Sequence, residues 1–201
     1  MKLSRLIMGI LCLTLATTAA AEPMAPGEQQ LLLDHARRVM RARLVQEPPP
    51  AAPDMAVASQ QRACFVTFFV KGKVMACFGS FTPRHSRLSD EIADNIRLAL
   101  IHDPRSAQLT PALAQEAQIQ ITFPQPPRPV HDWRLINPHH EGLLLERGDG
   151  HGVAIVPGEA RTAHYAWRSA LRRLGLHEQS AGVRLYRFQA EWIRSGQQKG
   201  D

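Results

Sequence analysis

An α+β fold, built on a largely antiparallel mixed sheet with flanking helices, follows from three observations. Residues 64–70 and 73–78 are two β-branched and aromatic runs separated by Lys71-Gly72, the pattern of a hairpin. Ile119–Phe123 and Val183–Trp192 alternate apolar and polar side chains with the period of a strand. Helical patterns fall between these strands without the strict alternation that a parallel sheet requires.

The elements follow in order. Lys2 and Arg5 precede an apolar run, Leu6–Leu15, too short to span a bilayer, and Ala19-Ala20-Ala21 ends a small-residue stretch before Glu22. Residues 1–21 therefore read as a signal peptide. Export to a periplasmic or secreted location is expected, with residues 22–201 as one domain. The period over Gly27–Val45 predicts a helix whose buried face carries Leu31, Leu32, His35, Val39, Met40 and Leu44. Arginines near its end suit the helix dipole. Pro48-Pro49-Pro50 and Pro53 stop it, and residues 47–60 form a Pro/Ala-rich connector within the domain.

After the hairpin, Ser89 is placed to cap a second helix, with Asp90 and Glu91 in its first turn. That helix ends before Pro104. Thr110-Pro111 opens a short third helix. The Ile119 strand stops at Pro124, Pro126, Pro127 and Pro129. Leu143–Leu145 and Val153–Val156 are strands joined around Arg147-Gly148-Asp149-Gly150. Thr162–Leu174 is a helix closed by Gly175. The hairpin and the strands of Ile119 and Leu185 are expected to share a single core.

Charge excludes some functions. The chain holds 24 Lys+Arg against 18 Asp+Glu, a formal +6 that falls to +4 once Lys2 and Arg5 leave with the signal peptide. The arginines are spread along helices. A nucleic-acid surface would gather them into a stripe with aromatic partners, so no nucleic acid is expected. No later stretch is apolar enough for stable membrane insertion after cleavage. His139-His140-Glu141 and His151 could be read as a metal site, but adjacent His side chains point oppositely in a strand and are solvated in a loop, and no metal or cofactor is expected. Arg147-Gly148-Asp149 reads as turn chemistry, and Trp133, Trp167 and Trp192 as packing.

Cys64 and Cys77 remain after cleavage, an even pair that predicts a disulfide in an oxidising compartment. A two-residue turn pairs Val66 with Cys77 and Cys64 with Gly79. The two cysteines then share a face as diagonal neighbours, far apart for an unstrained bridge. A shift of two in the register would bring them opposite each other.

These segments resemble the AMMECR-one family, protein A of the AmmeMemoRadiSam system. Ala63-Cys64-Phe65-Val66-Thr67 is similar to the family's opening strand, and Val74-Met75-Ala76-Cys77-Phe78-Gly79 to its signature Leu-Arg-Gly-Cys-Ile-Gly. Asp103-Pro104-Arg105 with Leu109-Thr110-Pro111, the run Ile119–Val130, and the closing Leu185-Tyr186-Arg187-Phe188 follow in family order. Met75, Ala76, Ser106, Gln120 and Gly158 depart from it. Met75 and Gln120 replace an Arg and a Glu, a loss the fold tolerates if those charges pair in relatives.

The resemblance implies Cys77 as a catalytic candidate, and Asp103, Arg105, Gln120 and Gly79 as ligand-binding candidates in the family's cleft. It also implies association with Memo-type and radical-SAM proteins, from which export would separate this chain. A nucleophilic Cys77 needs a nearby cation, and Arg105 or His85 could reach it only through folding. The function expected is an exported module binding a small ligand or a protein partner. The alternatives are a thiol-dependent enzyme using Cys77 and an interaction protein whose basic helical face meets an acidic partner.

Overall fold

The structure is a computed structural model that describes residues 24–196. The signal-peptide reading of residues 1–21 lies outside them. Among the described residues, no helix is long and apolar enough to cross a membrane.

The first helix, α1 (Pro26–Leu44), buries Leu32, Leu33, His35, Ala36, Val39 and Met40. Its stripe is rotated slightly from the sequence expectation, since Leu31 is 48% exposed and Leu33 takes its place. The connector lies against the core, with Val57 and Ala58 buried on a single 3₁₀ turn. Two strands follow, β1 (Phe65–Val70) and β2 (Lys73–Gly79). Both turn residues between them are left-handed, Lys71 at φ 50° and Gly72 at φ 74°. Such turns match the twist of the strands they join.

The hairpin departs from simple pairing at one place. Phe68 faces Ala76 while Phe69 faces Val74, so Met75 is an extra residue in β2. This bulge moves the register by one, and Cys77 faces Thr67 instead of Val66. Because side chains alternate across a strand, a slip of one exchanges the faces. Cys64 joins the core beneath the helices, whereas Cys77 packs on the opposite face. Both thiols are free. The register that placed them on one face is corrected accordingly, and no bridge joins them in this structure.

Helix α2 (Leu88–His102) begins without a side-chain cap. Ser89 is a buried first-turn residue rather than the cap expected from sequence. Glu91 organises this entry, its carboxylate accepting the N–H groups of Arg84 at 2.7 Å and His85 at 3.0 Å. The Thr110 hydroxyl does cap α3 (Pro111–Glu116), accepting from the N–H of Leu113.

Beyond it lie β3 (Gln118–Pro124), β4 (Arg128–Pro129), β5 (Glu141–Arg147), β6 (Gly152–Ile155), α4 (Ala163–Arg173) and β7 (Val183–Arg194). Thr162 caps α4, and Gly175 follows it at φ 67°. In the turn between β5 and β6, Arg147 pairs with Asp149 of its own chain.

The strands form one antiparallel sheet in the order β2-β1-β3-β7-β5-β6, with β4 paired beside β7. The long β7 joins the halves: Ala190–Arg194 pairs with β3, and Val183–Gln189 with β5. The sheet curls, so the apolar packing of the described residues divides into three clusters rather than the single core expected. One holds Cys64, Val66, Phe68 and Ile119 under α1 and α2. A second holds Leu143, Leu145 and Leu185 under α4. The third fills the inside of the curl with Phe65, Leu144, Val156 and Phe188. The curl does not close: β2 and β6 are the two sheet edges.

Candidate functional site

The unclosed seam is where the expected site residues meet. Cys77 sits on edge strand β2, so its N–H has no strand partner on that side, and it donates to Asp103 Oδ2 at 2.9 Å. Asp103 also caps the 3₁₀ turn Pro104–Gln108, accepting the N–H of Arg105 at 3.0 Å. The Arg105 guanidinium returns to the same carboxylate through Nε at 2.9 Å and a terminal nitrogen at 2.6 Å.

Its other terminal nitrogen crosses the seam to Glu159 Oε1 at 2.9 Å. Glu159 follows β6, and its second oxygen accepts the N–H of Val156 at 3.3 Å. Arg173, at the end of α4, donates to Glu159 Oε1 at 2.5 Å. The edges of the sheet are thus joined by an ionic clasp, Asp103–Arg105–Glu159–Arg173, in place of a ladder of backbone hydrogen bonds.

The electrostatics are those of a fixed network. Burial raises the Asp103 carboxyl, but the hydrogen bonds and charge of Arg105 outweigh it and hold the group below the usual carboxylate range. Arg105, despite the cost of burial, is held charged by Asp103 and Glu159. The side chains of Glu159 and Asp103 are 2% and 8% exposed, whereas Arg105 and Arg173 keep 27%. Carboxylates form the floor and guanidiniums reach toward water.

Cys77 lies beneath this clasp. The residue keeps some accessible surface, yet its sulfur is enclosed: Thr67 donates a hydroxyl hydrogen bond to it at 3.1 Å. Burial, with the Glu159 charge added, pushes the thiol up to about 12 in spite of Thr67, Arg173 and Arg105. A thiol so placed is neutral at ordinary pH and a poor nucleophile. Arg105 does reach the neighbourhood, as the thiol reading needed, but Asp103 and Glu159 already engage it. His85 does not, being paired with Asp94 beside α2.

Gln120 lies on the same inner face, two strands from Cys77. Pairing aligns Cys77, Thr67, Gln120 and Arg194 in one row across β2, β1, β3 and β7. Gln120 Nε2 donates to Thr122 Oγ1 at 2.8 Å and to the Pro157 carbonyl at 3.1 Å, while Arg194 donates to its Oε1 at 2.9 Å. Met75 is packed in the cluster under α1 and α2 on the outer face. Met75 and Gln120 therefore do not face each other in this chain. Gln120 faces Arg194, whose sequence position carried no motif.

Gly79 has a packing role. A Cβ there would lie 2.4 Å from the Cys64 carbonyl oxygen and 2.4 Å from Phe65 Cα, both backbone of the paired strand. Cys64 is remote from the seam, beneath α2, where Asn95 Nδ2 donates to its carbonyl at 3.0 Å. The structure thus unites Cys77, Asp103 and Arg105. Glu159 and Arg173 complete the site; nothing in their sequence surroundings announces them, except that Pro157-Gly158 marks a turn at the end of β6.

Over the clasp opens a cleft of about 580 Å³, walled by Lys73 and Val74 of β2, Ile155 of β6, and Tyr165 and Ser169 of α4. Its size is in the range of small-molecule sites. A groove of about 670 Å³ beside the end of α1 is lined by Arg38, Arg41, Pro48 and Pro50 and contains none of the expected site residues. No group of three or more His, Cys, Asp or Glu suited to a metal occurs among the described residues.

The comparisons agree with this architecture. The AMMECR1 family model matches residues 33–193. A curated protein of Thermotoga maritima is 28% identical over 147 residues, which are 72% of this chain and 84% of that protein. The crystal structure of an uncharacterized protein from Pyrococcus horikoshii superposes with a TM-score of 0.66 over 86% of this chain and 94% of its own, at 17% identity. The family match takes in every strand and helix from α2 to α4 and all but the last residue of β7, and the chain belongs to the AMMECR1 family.

Proposed function

We propose that this chain is an exported small-molecule binding module whose site is the seam cleft, and that Cys77 supports its floor without reacting. One observation carries the reading: the buried Glu159 carboxylate holds guanidiniums from both sides of the seam at 2.9 and 2.5 Å, giving the cleft a preformed, polar and rigid base. The thiol-enzyme alternative is disfavoured by the same geometry, because burial pushes the Cys77 thiol up to about 12. Export rests on the three-part leader at residues 1–21.

Mass spectrometry of the protein recovered from the exporting cell tests both halves. The chain is expected to begin at Glu22, and native protein treated with iodoacetamide at neutral pH should gain no adduct until it is unfolded. Rapid labelling of native Cys77 would overturn the non-thiol reading. A chain retaining residues 1–21 in the cytoplasmic fraction would overturn export.

A further inference from the structure

The charges around the seam do not cancel. Asp103 and Glu159 balance Arg105 and Arg173. Lys71, Lys73 and Arg161 line the same cleft in addition. Among the described residues, Lys71 has only a long, exposed contact to Glu116 at 3.8 Å, and Lys73 a neutral partner, Gln108, at 3.3 Å. Arg161 makes no ion pair among the described residues. Arg161 also precedes Thr162, the cap of α4, so the positive end of an 11-residue helix lies at the cleft.

Ser169, one turn from Arg173, is 5% exposed, and among the described residues its hydroxyl has no hydrogen-bond partner although the residue forms part of the wall. An unpaired buried hydroxyl is costly. The remaining wall is apolar, from Val74, Ile155 and the ring of Tyr165.

Resting on the reading of the seam as the binding site, we propose that its ligand is a small organic anion: a phosphate or carboxylate head on an apolar body. Lys73 and Arg161 take the charged head at the rim, and guanidiniums already fixed by the clasp meet it with little loss of side-chain freedom. The body lies against Val74, Ile155 and Tyr165.

Three probes separate the possibilities: phenyl phosphate, benzoate and neutral benzyl alcohol, followed by thermal shift and calorimetry on the purified protein. The two anions should raise the melting temperature and benzyl alcohol should not. Between 20 and 200 mM salt the affinity should fall severalfold, since rim charges are screened. The double variant Lys73→Ala/Arg161→Ala, which spares the clasp, should melt like the parent and bind the anions at least tenfold more weakly. The relative strengths of phenyl phosphate and benzoate identify the head group. Benzyl alcohol binding as well as the anions overturns the anion while leaving the module standing; anion binding unchanged in the double variant overturns the seam rim as the place that takes the charged head, and with it this proposal. Silence from all three probes overturns both.

Discussion

Replacing Gly79 with alanine is expected to lower stability by about 3–4 kcal/mol, or to prevent folding. The added Cβ would sit 2.4 Å from two backbone atoms of β1, the Cys64 carbonyl oxygen and Phe65 Cα. A side chain could turn away from such an intruder, but a paired strand must shift as a whole. Shifting it disturbs the pairing of Phe65 with both Gly79 and Thr122, and with it the inner cluster around Phe65 and Phe188. Gly27→Ala is the control, because nothing lies within 4 Å of a Cβ there. Urea denaturation of the two variants reads the difference. A Gly79→Ala protein as stable as its parent would contradict the packing role given to this glycine.

Glu159→Ala is expected to cost about 2–3 kcal/mol. Breaking a buried ion pair by removing one partner typically costs about 3–5 kcal/mol, but Arg105 and Arg173 keep 27% exposure, so water screens part of the loss. Glu159→Gln should be milder, since the amide oxygen can still accept from both guanidiniums. The clasp also has an acid limit. Asp103 titrates below its unfolded value, so its contribution is complete above about pH 4 and fades as the pH falls through its folded value. Denaturation midpoints of parent and variant at pH 7 and pH 3 measure both effects. A Glu159→Ala protein within 0.5 kcal/mol of the parent, a threshold of about the ordinary surface effect, would mean that the seam is held by something other than the clasp.

Much of this fold was legible in the sequence because its signals are local. The Lys71-Gly72 turn, the Thr110 cap and the left-handed Gly175 each depend on neighbours a few residues away. What escaped depends on long range or on a single misplaced residue. The bulge at Met75 has no composition of its own, yet it reverses the faces of everything after it in β2, and so separates Cys77 from Cys64. β7 runs two residues beyond its alternating pattern to Arg194, which supplies the cation facing Gln120.

The site was half legible for the same reason. Asp103 and Arg105 are two positions apart and form a local cap and ion pair, so the motif contained their relation. Glu159 is 54 residues from Arg105. Only the curl of the sheet, which brings edge strands β2 and β6 to opposite sides of one cleft, makes them partners. The seam is joined by charges rather than by backbone pairing, and the cleft opens over it.

Backbone amide NMR of the isotope-labelled protein, titrated with phenyl phosphate, measures where an anion lands. Shifts should concentrate at Lys71–Val74 and along Arg161–Arg173, on both sides of the seam. Shifts confined to the groove of Arg38, Arg41, Pro48 and Pro50 beside α1, or spread thinly over the surface arginines, would contradict the seam as the site.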